Sequence, residues 1–364
     1  MSELSRLAAG LFVVGFPGRS VDDEVKRLID DGVAGVILFK RNVGTAAETH
    51  QLVNELKTYA GRPLLAAVDQ EGGRVARLRG GEFTALPAMR TLGASADAQV
   101  IERVGRLLAF ETRACGFDWD FAPVLDIDTN PNNPVIGDRA FHRQPEEVAR
   151  LGVALARGLE SGGVASCGKH FPGHGDTSVD SHLDLPVLPH PMQRLRDVEL
   201  VPFRAYAQAG LASLMTAHVV FEALDRGIPA TMSRKVMTGL LREELGFQGV
   251  VVSDDLEMKA IASHFTVERA VVESLAAGVD CFLVCHHAEV QRAAITAVVN
   301  AVQTGRLSLD RLHEASRRLE GLKRRFVRGS QALVAALGSV EHRRLAEGLG
   351  VVGRSERDPT EVLV

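Results

Sequence analysis

The chain has 364 residues, with 42 lysines and arginines against 46 aspartates and glutamates for a formal net charge of −4. That length supplies one large α/β domain or two ordinary ones with ample core, and the slightly acidic balance, no long basic run and 5% aromatic residues argue against a nucleic-acid partner. No apolar run is long enough to span a bilayer, which argues against a membrane partner, and Cys115, Cys167, Cys281 and Cys285 form no C-x-x-C pair, so they read as buried, reduced thiols of a cytoplasmic protein.

The first apolar stretch, residues 7–16, follows Glu3 and precedes no small-x-small cleavage site; it is expected to be a strand over 11–16 rather than the core of a signal peptide. Val21, Val25, Leu28 and Ile29 then follow the spacing of one helix face, which Gly32 is placed to stop. A strand is expected over 33–39. The sequence Thr45-Ala-Ala-Glu48 after it is a capping box, in which hydroxyl and carboxylate each satisfy a free backbone N–H, and Gly61 and Pro63 end the helix it starts. Further strands are expected over 64–69, 117–126, 165–170, 213–218, 250–254 and 281–285, again separated by amphipathic stretches. Such alternation implies parallel strands with helical crossovers, and eight strands point to a single (β/α)8 TIM barrel over residues 1–325. Residues 326–364 form a C-terminal extension of unknown role, charged and arginine-rich, then apolar at 349–352; a helix packed outside, a crossing into another subunit and partial disorder all stay open.

Chemistry gathers where the expected strands end. Asp69, Asp126, His170, His218 and Asp254 each fall at a strand's C-terminal end, and in a barrel those ends converge on the face where active sites form. The segment from Lys169 to His182 holds three imidazoles, two carboxylates and an amine in fourteen positions, and its Phe171-Pro172-Gly173 core cannot continue a helix. It reads as a site loop, because imidazole titrates near neutrality and a nearby carboxylate raises its pKa. After the seventh strand stand Asp254 and Asp255. Successive strand side chains point to opposite faces, so at most one of these two is expected to aim into the barrel mouth. A retaining glycosidase needs one carboxylate to attack the anomeric carbon and a second group to protonate the leaving oxygen; Asp254 suits the first task, with a histidine in place of the usual acid.

Four blocks, Val68-Asp-Gln-Glu-Gly-Gly-Arg-Val75, Gly137-Asp-Arg-Ala-Phe141, Lys169-His-Phe-Pro-Gly-His-Gly-Asp176 with Asp180-Ser-His182, and Ser253-Asp-Asp-Leu256, resemble in sequence and order the family 3 glycoside hydrolases. Among these they look most like the bacterial β-N-acetylhexosaminidases of peptidoglycan recycling, from about residue 8 to residue 325. The resemblance implies Asp254 as nucleophile, His182 as acid/base with Asp180 as its carboxylate partner, and Asp69, Arg77, Arg139, Lys169 and His170 as binders of an N-acetylglucosamine unit. It implies no cofactor and no metal, and a small carbohydrate as the partner molecule. Asp255, Glu71 and Asp176 are expected to be supporting residues, His174 either a loop-shaping or a catalytic one, and the roles of Asp126, Asp128 and His218 stay open. Three other readings remain at this point: a phosphorylase of the same family, a metal-dependent hydrolase using His170, His174, His182 and the nearby aspartates as ligands, and a sugar-binding barrel without catalysis. The second is weakened by Pro172 and Gly173, which remove the helix that would set His170 and His174 on one face.

Overall fold

The computed structural model describes residues 2–95, 97–181, 183–328, 334–350 and 358–361. Eight short strands, β1 (Phe12–Val14), β2 (Gly35–Leu38), β3 (Leu65–Val68), β4 (Trp119–Asp120), β5 (Ala165–Phe171), β6 (Ser213–Thr216), β7 (Val250–Asp255) and β8 (Cys281–Val284), all pair in parallel and close into a barrel. Neighbours in sequence are neighbours in space, and β8 returns to pair with β1. This is the expected (β/α)8 barrel. Every strand is buried almost throughout, which explains why the strands read as continuous apolar runs rather than as alternating ones. One consequence of the order matters for the site: β3 and β7 stand four steps apart in either direction, hence on opposite sides of the mouth.

The helices form where their caps demand. Asp22 accepts from the backbone N–H groups of Glu24 and Val25 to start Asp23–Asp31, which buries Val25, Leu28 and Ile29 and ends at Gly32 with φ 101°. Val21 falls just before this helix. Around Ala46–Ala60 the capping box is complete: Glu48 N donates to Thr45 Oγ1 at 3.2 Å and Thr45 N to Glu48 Oε2 at 2.7 Å. Helices Ala98–Ala114 and Pro145–Ser161 cross closely because both carry glycine at the contact; a Cβ on Gly158 would lie 2.2 Å from the Glu102 carbonyl oxygen.

The rings of Phe12 and Phe282, on the neighbouring strands β1 and β8, meet at 5.4 Å, and Trp119 satisfies its indole N–H on Ser213 Oγ at 2.8 Å. The expected fourth strand, 117–126, shortens to two residues, since Pro123 brings no N–H to the ladder and only the Val124–Lys169 bridge follows. All four cysteines are buried and free, and burial pushes the thiols of Cys115 and Cys167 up to about 12. Among the described residues no helix is long and apolar enough to cross a membrane.

The described part of the 326–364 extension lies against the same body. Its helix Val340–Glu347 brings Ala346, with Leu349 after it, into the apolar cluster that holds Leu86, Met89 and Leu92, while Arg343 donates to the Gly81 carbonyl oxygen at 3.1 Å. Of the expected apolar stretch 349–352, residues 351 and 352 lie outside the described residues. The chain is described again at 358–361, at the barrel mouth, where Asp358 meets Arg77.

Candidate active site

A cavity of about 60 Å³ opens at the C-terminal ends of the strands, several times the space that one water needs. Of the residues expected at the site, Asp69, Arg139, Lys169, His170 and Asp254 line it together. Its floor on the β3 side is a buried ion-pair cluster. Lys169 on β5 reaches Asp69 Oδ1 at 2.8 Å and Glu71 Oε1 at 2.6 Å, and Arg139 grips Glu71 with two parallel bonds, Nε to Oε2 at 2.9 Å and Nη2 to Oε1 at 2.8 Å. Burial opposes ionisation of Glu71, but Arg139 and Lys169 overcome it and hold the carboxyl well below the usual range. Burial likewise opposes the charge of Lys169, and Asp69 and Glu71 reverse that, keeping it a cation. Glu71→Ala leaves two buried cations short of a partner, so urea unfolding should show a loss of about 3–5 kcal/mol.

Just after β3 the chain folds back as an antiparallel ribbon, Gln70–Gly72 against Val75–Ala76. The Gln70 carboxamide ties it together, accepting from the N–H groups of Arg77 and Leu78 at 2.8 and 2.9 Å and donating to the Leu78 carbonyl oxygen at 3.1 Å. This ribbon sets Arg77 behind Asp69, with Nη2 3.3 Å from Asp69 Oδ2. Arg77 does not line the cavity as the sequence led one to expect; Asp358 and Thr360 engage its guanidinium instead.

Opposite stands β7. Both Asp254 and Asp255 line the cavity, against the expectation that strand alternation would send one of them away. The reason is a bulge. Val252 pairs with Cys281 but Asp255 with Leu283, so β7 carries one residue more than β8 over this stretch and the alternation slips. Asp255 is anchored by His286 at 3.0 Å and accepts from Glu257 N at 3.1 Å, whereas the half-buried Asp254 accepts from Asp255 N at 2.8 Å. His286, missed in the sequence, stands two residues beyond the end of β8; the strand-end argument that found Asp69 and Asp254 also applies to it.

The histidine loop leaves β5 and runs over this cavity. Asp126 organises its start, accepting the His170 backbone N–H at 3.2 Å, the His174 backbone N–H at 2.7 Å and the His170 ring Nδ1 at 2.6 Å. Burial pushes the Asp126 carboxyl up, but His170 and His174 together offset this and the net direction is down. His170 is thereby oriented at the cavity wall. His174 has both ring nitrogens engaged, with Thr177 Oγ1 and Ser181 Oγ, each at 2.9 Å, which is the loop-shaping role. Gly175 has no room for a side chain, since a Cβ would fall 1.7 Å from the Ile127 carbonyl oxygen. Asp176 pairs with His190, and His218 is held between Thr231 and the Asp255 carbonyl oxygen, so both brace the mouth from behind. Asp128 is occupied by Arg90 and Arg143 on the flank. His182 lies outside the described residues. Its neighbour Ser181 lines the cavity and its backbone carbonyl accepts from Ala260 N at 3.1 Å, which brings the Asp180-Ser181 end of the loop to the β7 side.

Burial, and after it the neighbouring His170, push His174 down to about 4 from an ordinary 6.5. A depressed histidine is neutral in the fold, so its contribution is fully present above pH 6.5 and is lost as pH falls from there through 4, the window in which the unfolded chain binds the extra proton. The melting temperature should therefore fall across that window, and less steeply in His174→Gln.

A parallel barrel with a carboxylate on β7 facing a carboxylate and cation cluster after β3 defines an enzyme of the barrel-mouth class, equipped for a ligand rich in hydroxyl groups. The chain belongs to glycoside hydrolase family 3: the model of the Glycosyl hydrolase family 3 N terminal domain matches residues 4–322. It is 46% identical over 275 residues to the Beta-hexosaminidase of Neisseria meningitidis serogroup C, covering 74% of this chain and 75% of that protein. A glycoside hydrolase family 3 beta-N-acetylglucosaminidase from Paenibacillus sp. superposes with a TM-score of 0.93 at 42% identity, over 96% of this chain and 68% of that one. NagZ from Neisseria gonorrhoeae, solved in complex with N-trifluoroacetyl-D-glucosamine, superposes with a TM-score of 0.77 at 35% identity, over 93% of this chain and 97% of that one.

Proposed function

We propose that the protein is a retaining exo-β-N-acetylglucosaminidase that removes terminal β-N-acetylglucosamine from muropeptides, including N-acetylglucosaminyl-anhydro-N-acetylmuramic acid fragments, in the cytoplasm during cell-wall recycling. The observation that carries this reading is the placement of Asp254 across one small cavity from Asp69 and Lys169. The names of its relatives point the same way. Asp69, Arg139, Lys169 and His170 present a mixed set of acceptors and donors to sugar hydroxyls, and contacts that tighten as the ring flattens contribute to rate rather than to affinity alone.

In the first step the Asp254 carboxylate bonds to the anomeric carbon as the bond to the leaving oxygen breaks, and His182, supported by Asp180, gives that oxygen its proton. In the second, His182 takes a proton from the attacking water and Asp254 leaves as a carboxylate. Two inversions retain the β configuration. Water rather than phosphate is favoured as the acceptor because Arg77, Arg139 and Lys169, the cations at the cavity floor, are all engaged by carboxylates.

The test is turnover of an aryl β-N-acetylglucosaminide and of a muropeptide, with the first-formed anomer read by NMR. The reading expects free β-N-acetylglucosamine whether or not phosphate is present; a sugar phosphate as the main product, or an α product, contradicts it. Because side chains fill every role in this mechanism, dialysis against a strong chelator should leave the rate unchanged. A rate abolished by chelation and restored by zinc favours the metal-dependent reading instead.

A further inference from the structure

The short turn Pro359–Glu361 reaches the candidate site through Thr360, a place no sequence motif foretold. Asp358 organises the turn by accepting from Thr360 N at 2.9 Å and from Thr360 Oγ1 at 2.6 Å, while its other carboxylate oxygen takes Arg77 Nη1. Arg77 Nη2 in turn donates to Thr360 Oγ1 at 2.7 Å. The Arg77 side chain is 0% exposed and that of Asp358 7% exposed, so this is a buried pair rather than a passing surface contact. Thr360 lines the cavity directly.

Charge points to the same conclusion. The floor cluster holds three cations, Arg77, Arg139 and Lys169, and without the segment only two paired carboxylates, Asp69 and Glu71; Asp358 is the third. Position gives the contact its meaning. Arg77 belongs to the ribbon after β3, across the mouth from β7, which carries Asp254. A pyranose with its anomeric carbon at Asp254 turns the opposite side of its ring, with the 4-hydroxyl, toward β3 and this segment.

We propose that Thr360, held in place by Asp358, forms the far wall of the glycone pocket and that the two select for a sugar that is not extended at its 4-hydroxyl. The proposal rests on the exo-acting reading given above and adds the device that enforces it. A substrate carrying a further unit at this position has to displace the segment and leave the buried Arg77 with Asp69 alone, an unfavourable exchange. The bare sugar leaves the pair intact and meets Thr360 as part of the pocket.

The test compares an aryl β-N-acetylglucosaminide with its 4-O-methyl derivative on the full-length protein and on the full-length double variant Asp358→Ala, Thr360→Ala. In the variant, KM for the parent glycoside should rise about tenfold with kcat within about threefold, as for the loss of one hydrogen bond and the support behind it. Its preference for the parent over the 4-O-methyl glycoside should fall at least about tenfold. Calorimetric binding of N-acetylglucosamine and its 4-O-methyl ether gives the same ratio without turnover, and Thr360→Val alone, which keeps the Asp358–Arg77 pair, serves if the double variant does not fold. An unchanged preference overturns the wall, and so does a lower KM, which would make the segment a competitor of the substrate. Failure of the wild-type protein to hydrolyse the parent glycoside, with the binding ratio shifting as described, would instead overturn the exo-glycosidase reading and leave the wall standing.

Discussion

Replacing Asp254 by Asn is expected to lower kcat on an aryl β-N-acetylglucosaminide by at least about 10⁴-fold, because the variant has no carboxylate to form the glycosyl–enzyme bond. The amide oxygen of Asn keeps an acceptor for the Asp255 N–H, so the end of β7 retains the bond that Asp254 now accepts at 2.8 Å. A second measurement separates loss of the nucleophile from collapse of the site. In Asp254→Ala, azide should enter the space left by the carboxylate, restore part of the rate and yield the α-glycosyl azide, the product of a single inversion. The equivalent change at Asp255 should behave differently, since that side chain is anchored to His286 and braces the strand end. If Asp255→Ala shows the larger loss and the azide rescue, the two adjacent aspartates have exchanged roles.

Replacing His182 by Ala is expected to separate substrates by the basicity of their leaving groups. A sugar alcohol cannot depart without a proton, so the loss on a natural disaccharide should be about 10² to 10⁴-fold, the usual size of general acid catalysis. An acidic nitrophenol departs unaided and should lose far less. In the proposed mechanism Asp180 would stabilise the imidazolium, so activity on the sugar leaving group should fall as pH rises through the histidine's pKa. An equal loss on both substrates would make His182 a structural residue and move the search for the acid to His170, which lines the cavity beside Asp126.

The barrel was legible in the sequence because each strand is a buried apolar run closed by a turn signal, and because the helices carry their caps in their side chains: the box at Thr45 and Glu48 and the stop at Gly32 are local chemistry. The strand-end carboxylates could be read for the same reason. What escaped was decided by contacts between distant parts of the chain. The bulge that turns both Asp254 and Asp255 into the cavity is a mismatch of register between β7 and β8, which neither strand shows by itself. Arg77 is a residue of the expected site, but its position behind Asp69 depends on Asp358, 281 residues further along. The Asp126 cap on the loop likewise joins residues 44 and 48 apart.

Covalent bonding of Asp254 to the sugar, with Asp69 and the cations beyond it holding the ring, is the step on which the proposed reaction turns. It is tested most directly by trapping the intermediate with a slow fluorinated N-acetylglucosamine donor, digesting the protein and locating the added mass by tandem mass spectrometry. The label is expected on the peptide containing Ser253 and Asp254, at the Asp254 carboxylate, with activity lost in step with labelling. Label on Asp255 or on a histidine of the 169–181 loop, or full inactivation without any covalent adduct, would contradict the account.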